Sequence, residues 1–315
     1  MKLISVITPT WNRAIFLKKV YQSLLSQSYQ KFEWIVCDDN SDDNTLEVLK
    51  NFKKEKKIKI KIYSFSERVG KTKMDNYAIK LAKGEFIYIA DSDDTFSSNF
   101  FFDMIAEWQK IPNNLKNKVF AIISPCSSSH YKFSKFQFNS KLISLGDIWF
   151  KKAKFQESAL FLKASIIKKY KFKEIDYYVP EGTMWNKIGL KYYLWIVDNF
   201  YRRFYVGSSN SISHSKKINY IYGQHYALIN SLNFLITINY FNFKFFLISC
   251  INLNRYNFHT KKNFFHQFKL LGNLSTKIIY SLSYVFGFIF YLKDKLQGKV
   301  IIQKYNKKNI IPTIV

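Results

Sequence analysis

Over the first hundred residues, short β-rich runs alternate with helical patterns, which is how a parallel sheet with crossover helices reads. Residues 3–8 predict a first strand. Residues 12–26 place Ile15, Leu17, Val20, Tyr21, Leu24 and Leu25 close to helical spacing, and residues 33–37 return to strand. Asp38-Asp39-Asn40-Ser41 closes that strand with turn chemistry, residues 42–45 offer caps, and residues 46–52 predict a short helix. A third strand follows over 58–65 and a helix over 72–82. Glu85-Phe86-Ile87-Tyr88-Ile89-Ala90 then reads as a buried central strand, ending on Asp91-Ser92-Asp93-Asp94.

From residue 99 to 173 the pattern loosens into helix, strand and a polar loop over 125–130. Pro180 is placed to open a helix, and residues 197–205 predict a late strand carrying Arg202 and Arg203. The composition changes after Tyr220: residues 221–315 hold 11 Lys and one Arg against the single acid Asp294, with dense Phe, Tyr, Ile and Asn. Two apolar, aromatic runs lie there, over 227–251 and 278–292. The second would measure about 22 Å as a helix, short of the roughly 20 residues that a membrane span needs. The first is interrupted by Asn230, Asn233, Asn239, Asn242 and Lys244. Both are expected to be helices that pack or lie in a membrane interface, with cations for anionic headgroups and aromatics for the acyl boundary; a soluble helical cap is the alternative. The expected division is an α/β region over 1–220, in two parts over 1–110 and 111–220, and a helical region over 221–315.

The 315 residues are enough for two domains or one large one with an appendage. Lys and Arg total 49 against 22 Asp and Glu, a net charge of +27 that draws the chain toward polyanions. Nucleic acid, anionic lipid and nucleotide phosphates all meet that description. Cys37, Cys126 and Cys250 are far apart, which argues against a disulfide framework or a cysteine zinc site and favours a reducing setting. The apolar stretch at the N-terminus is interrupted by Thr8-Pro9-Thr10, too early for a secretory signal, so this part of the chain is expected in the cytoplasm.

Three polar clusters, at Thr8, Asp39 and Asp91-Asp93, fall on successive strand ends, where open α/β sheets bind ligands. Asp-rich turns also simply stop strands, but three together favour a site. Asp91-Ser92-Asp93 puts two carboxylates on a tight turn, and hard oxygen ligands suit Mg²⁺ or Mn²⁺ shared with substrate phosphates. No Gly-x-Gly-x-x-Gly follows Ile7 and no Walker lysine loop is present, which removes the main support for dinucleotide redox and P-loop chemistry.

Val6-Ile7-Thr8-Pro9-Thr10-Trp11-Asn12-Arg13, the stretch from Trp34 through Asp38-Asp39 to Thr45, Gly70-Lys71, Asp75-Asn76-Tyr77-Ala78 and Asp91-Ser92-Asp93-Asp94 together resemble the opening of family 2 glycosyltransferases. The resemblance covers about residues 1–110 and thins toward 215. It implies a GT-A fold, an α/β architecture with a mostly parallel central sheet, that transfers a sugar from a nucleotide diphosphate with inversion, 1–220 being the catalytic region with 1–110 binding the donor and 111–220 facing the acceptor. It implies donor contacts at Thr8, Pro9, Thr10, Asp39, Lys71, Asn76, Asp91, Ser92 and Asp93, with Asp91 and Asp93 holding Mn²⁺ or Mg²⁺ and His214 as a later ligand. Uridine is the base that it favours, with a hexose or N-acetylhexosamine as the sugar. Asp75 departs from the pattern, since a basic residue often stands before the equivalent of Asn76.

Inverting transfer needs a base for the incoming hydroxyl, and a carboxylate is the usual choice. Glu181, in Val179-Pro180-Glu181-Gly182-Thr183-Met184-Trp185, is similar to the family's acidic region, although Gly182 replaces the second acid. Glu157 and Asp176 are the runners-up. A helix N-terminal acid stabilised by the dipole is the bland alternative for Glu181. Trp185 offers a flat face to a sugar or packs in the core, and Arg202 or Arg203 would meet phosphate. The leading expectation is extension of a surface glycan, such as lipooligosaccharide, capsule or a lipid-linked oligosaccharide, by a peripheral protein on the cytoplasmic face of an anionic inner membrane. A catalytically silent GT-A scaffold is one alternative. A nucleic-acid-binding protein is another, disfavoured because no RNP-like or zinc-knuckle motif appears and acidic strand ends repel phosphate. Oligomeric state is open.

Overall fold

The computed structural model describes residues 1–128, 135–136, 138–150, 157–203, 220–300 and 310–315. They fall into two compact units, Met1–Phe172 with Ile188–Ser208 and Lys308–Val315, and Lys173–Lys187 with Ser209–Lys307.

The first unit is built on a sheet. Its opening elements are β1 (Ile4–Thr10), α1 (Ala14–Leu25), β2 (Phe32–Asp38), α2 (Thr45–Glu55), β3 (Ile60–Ser64), α3 (Lys71–Leu81) and β4 (Phe86–Ile89). Each matches the pattern expectation to within a few residues. β5 (Thr95–Phe96), α4 (Phe100–Lys110), β6 (Val119–Ser127), β7 (Leu142–Ile143), α5 (Leu145–Phe150), β8 (Ser158–Lys163) and α6 (Ala164–Ile167) follow. After α7 (Gly182–Gly189) the chain adds β9 (Tyr193–Ile196) and β10 (Arg202–Arg203), and β11 (Thr313–Ile314) completes the sheet. The strand order is β11-β3-β2-β1-β4-β8-β6-β10-β5, with β9 pairing β6 and β7. β1 to β4 run parallel, and β8 is inserted antiparallel between β4 and β6.

Every residue of β1 and β2 is buried, as expected of central strands covered on both faces. Beneath them Phe86 stacks on Phe161 at 4.8 Å and meets Trp108 edge-on at 4.9 Å. These rings anchor β4, so the acidic turn that leaves it starts from a rigid base.

Two expectations are corrected here. The polar loop predicted over 125–130 begins later, because Pro125-Cys126-Ser127 continue β6 and Cys126 N–H donates to the Glu157 carbonyl. Of the late strand predicted over 197–205, the described residues form only β10, because β9 already ends at Ile196 and Asp198 and Asn199 supply turn chemistry between the two.

The second unit is helical: α8 (Ile221–Thr237), α9 (Phe243–Thr260), α10 (Phe264–Leu270), α11 (Leu274–Leu282) and α12 (Tyr284–Leu296), joined by 173–187. The boundary expected at 220 is therefore discontinuous. Asp176 accepts from the Tyr222 and Gly223 backbone N–H groups, which opens α8. A Cβ on Gly223 would lie 2.1 Å from the Tyr178 carbonyl oxygen, and Asn186 bonds Asn230 at 2.9 Å. These contacts tie 173–187 to the helices. Of the asparagines that seemed to interrupt the first run, Asn242 is a cap that accepts from the Phe245 N–H, and Asn263 and Asn273 cap α10 and α11 likewise through the N–H groups of His266 and Thr276. Asn239, at φ 55°, makes the left-handed turn between α8 and α9.

Candidate active site

β1 lies between β2 and β4, so Thr8–Thr10, Asp39 and Asp91–Asp94 leave adjacent strand ends on one edge of the sheet. Asp39 is fully buried, and its N–H donates to the Thr10 carbonyl at 2.9 Å. Its carboxylate accepts from Val69 N–H at 2.5 Å and Gly70 N–H at 3.1 Å. Gly70 adopts φ 84°, a conformation that a side chain would strain, which lets the loop fold over the carboxylate and start α3. Arg68 completes this corner, 3.4 Å from Asp39 and stacked over the Trp11 ring at 3.6 Å. Burial pushes the Asp39 carboxyl up, while the two N–H groups and Arg68 pull the other way.

The acidic turn is held by cations. Arg202 is buried, donating Nη2 to Asp91 at 2.8 Å and Nε to Asp94. Lys71, in the first turn of α3, lies 2.9 Å from Asp75 and 3.6 Å from Asp91. Arg13 stands 3.9 Å from Asp93. Although burial opposes ionisation, Lys71 and Arg202 hold the Asp91 carboxyl below its ordinary range. Asp93 is raised, first by burial and then by the neighbouring Asp91 charge. Burial pushes Asp94 up to about 7, against the pull of Arg202.

Other expected residues have varied placements. Thr8 points into the core, where its hydroxyl accepts from the Trp34 indole N–H at 2.9 Å, and Pro9 is buried beside it. Thr10 is buried with no hydrogen-bond partner for its hydroxyl oxygen, and Ser92 is buried within the turn. Asn76 clamps a loop through both amide atoms, donating to the Phe172 carbonyl and accepting from its N–H, so this side chain shapes the backbone. Arg202, expected at phosphate, bridges Asp91 and Asp94, because a guanidinium presents separate N–H donors to two carboxylates in a fixed fork; Arg203 is exposed. Glu157 is exposed at the start of β8.

Within the second unit, Glu181 is half-buried just before α7, and its carbonyl accepts from Met184 and Trp185. Trp185 is buried, the packing alternative for that ring. Asp176 has its cap role at α8. His214 lies outside the described residues. Sequence reasoning missed Arg13, Arg68 and Asp94 as members of the site. The signal for Asp94 was its place in the acidic run; the two arginines acquire their roles only through long-range contacts.

The glycosyl transferase family 2 description matches residues 5–145, which contain every strand end just described. Those residues form a family 2 glycosyltransferase domain. Among curated relatives, the glycosyltransferase GlyG of Streptococcus pneumoniae serotype 4 is 35% identical over 98 residues, 31% of this chain and 32% of that protein. The GalNAc(5)-diNAcBac-PP-undecaprenol beta-1,3-glucosyltransferase of Campylobacter jejuni is 36% identical over 99 residues, again 31% of this chain and 32% of its own length. The match spans about a third of both relatives. Among solved structures, that of S. aureus TarS 1-349 in complex with UDP-GlcNAc aligns over 99% of both chains with a TM-score of 0.65 and 16% identity. The fold is thus the GT-A glycosyltransferase fold, as the sequence resemblance implied, with a helical C-terminal region, as the apolar runs predicted.

Proposed function

We propose that the protein is an inverting glycosyltransferase that moves a hexose or N-acetylhexosamine from a UDP-sugar to a lipid-linked or surface glycan at the cytoplasmic face of a membrane. The observation that carries this reading is the acidic turn after β4, set one strand from the buried Asp39 and ringed by Lys71, Arg13 and Arg202. Such a strand-end crevice offers acceptors for a nucleoside and cations for a diphosphate. The UDP-GlcNAc bound by TarS and the undecaprenol-linked acceptor in the name of the Campylobacter relative support the donor and acceptor classes.

In the proposed reaction the acceptor hydroxyl attacks the anomeric carbon, the bond from that carbon to the diphosphate oxygen breaks, and the nucleoside diphosphate leaves. The hydroxyl proton passes to a carboxylate, proposed as Glu181 on its sequence context. Asp39 and Thr10 are proposed to hold the nucleoside, and Lys71 the diphosphate.

Asp93 and Asp91 fit Mn²⁺ or Mg²⁺. Both are hard carboxylate donors, their side chains keep 19% and 32% exposure, and the Asp93 contact with Arg13 is long. Among the described residues no group of three His, Cys, Asp or Glu side chains can hold a metal, which suits an ion shared with diphosphate oxygens and water. When bound, such an ion supplies Lewis-acid stabilisation of the leaving diphosphate.

Calorimetric titration of UDP into the purified protein, with and without Mn²⁺, tests the donor half. Metal-dependent binding is expected in the wild type and lost in Asp93→Ala and Asp39→Ala. Absence of UDP binding by folded wild-type protein would overturn the uridine assignment.

A further inference from the structure

α11 and α12 form an elbow bent by 49°. On α11 the exposed apolar residues Leu274, Ile278 and Leu282 recur every four positions, while Thr276, Ile279 and Tyr280 face inward. The stripe runs on into α12 through Val285, Ile289, Leu292 and Leu296, flanked by Phe286 and Phe290, all exposed. Leu282, Val285 and Leu296 are 71%, 63% and 89% exposed. α12 rests on α9 along a narrow line: Gly287 and Asp294 are buried, and a Cβ on Gly287 would come within 2.4 Å of the Asn254 Cβ. Most of its circumference is therefore both apolar and open, far more than isolated surface hydrophobes would produce.

The charge around this face has one sign. Asp294 is the single acid from residue 221 onward; it is buried and paired with Arg255, with His259 at 3.1 Å. Lys293, Lys295 and Lys299 stand exposed at the end of the stripe. An apolar strip with a cationic end and no outward acid is complementary to an anionic lipid surface. The arms hold 9 and 13 residues, about 14 and 20 Å long, each short of a bilayer's roughly 30 Å apolar core. No single helix among the described residues is long and apolar enough to cross.

We propose that the α11–α12 elbow lies in the plane of an anionic bilayer surface, with Leu282, Val285 and Ile289 inserted among acyl chains and Lys293, Lys295 and Lys299 on headgroup phosphates. This deepens the membrane-face reading above and rests on it only for the acceptor.

Co-sedimentation of the full chain with phosphatidylcholine vesicles, with or without phosphatidylglycerol, tests it. Binding is expected with phosphatidylglycerol and weakened by salt. Val285→Glu combined with Ile289→Glu should abolish it. Lys293→Gln combined with Lys295→Gln should weaken it by roughly tenfold or more, given the usual contribution of a lysine near an anionic surface. Unchanged melting temperature and UDP binding show that the variants are folded. Equal binding by the apolar-face variant would overturn the proposal. So would wild-type retention in membranes through carbonate extraction, which indicates a span, or a dimer that Val285→Glu dissociates, which indicates a second copy as the occupant. Vesicle binding needs neither donor nor acceptor, so a failed UDP titration would leave this inference standing, and the reverse also holds.

Discussion

Four carboxylates, Asp75, Asp91, Asp93 and Asp94, crowd one end of the sheet, and beyond the effect of burial the Asp91 charge raises the carboxyls of Asp93 and Asp94. The arrangement survives because Arg202, itself buried, donates to Asp91 and Asp94 with different nitrogens, while Lys71 serves Asp75 and Asp91. Arg202→Leu would leave Asp94 buried without its cation, so a loss of about 3–5 kcal/mol is expected in denaturant unfolding. Arg202→Lys should recover only part of it, because an ammonium cannot reproduce the fork that spans two carboxylates. Glu181→Gln tests a different role. It should lower kcat by about 10²–10⁴ while UDP affinity stays unchanged, as expected of a base that acts only in the transfer step. An unaltered kcat would move the role to Glu157 or another acid. The acidic turn itself was legible in the sequence, since Asp-x-Asp after an apolar strand is a local pattern. Arg202, 108 positions from Asp94, was legible only as a basic residue expected at phosphate.

Among the elements, period and turn chemistry located β1 to β4 and α1 to α3 within a few residues, because each strand is buried and each helix has one apolar face. The C-terminal runs were harder. Residues 227–251 are apolar enough to read as one helix, yet Asn239 and Asn242 divide them by a left-handed turn followed by a cap. Ser283, whose hydroxyl bonds the Tyr280 carbonyl at 2.9 Å and accepts from Asn254 at 3.0 Å, likewise marks the break between α11 and α12. Gly287 allows the near-backbone contact that seats α12 on α9. Gly287→Ala should force the helices apart and cost about 1–3 kcal/mol, read as a lower melting temperature, whereas Gly298→Ala serves as a control for space because nothing lies within 4 Å of its added Cβ, although its φ of 56° is itself unfavourable for alanine.

At the scale of the whole molecule, two compact units make separate stability responses testable. His225 is buried in the helical unit, its Nε2 2.6 Å from Asn257 Oδ1, and Asn257 donates in turn to the Tyr280 hydroxyl at 2.6 Å. Burial lowers the pKa of the ring to about 4, while its hydrogen bond with Asn257 pulls the other way. The unfolded chain, with its ordinary histidine pKa near 6.5, binds the proton first. Stability is therefore present above that value and lost as pH falls toward 4, by roughly 2 kcal/mol on reaching pH 5. Scanning calorimetry of wild type and His225→Gln over this range should show a steeper acid loss in the wild type. Parallel slopes would remove His225 as the cause.

The sequence by itself determined the α/β class, the acidic strand ends and the change of character after Tyr220, because periodicity, turn residues and composition are local properties of the chain. Only the tertiary structure decided that residues 173–187 join the helices, that β11 returns to pair with β3, and that Arg202 neutralises the turn. Each of these depends on contacts between residues far apart in the chain, whose partners are selected by packing and charge compensation rather than by any short pattern.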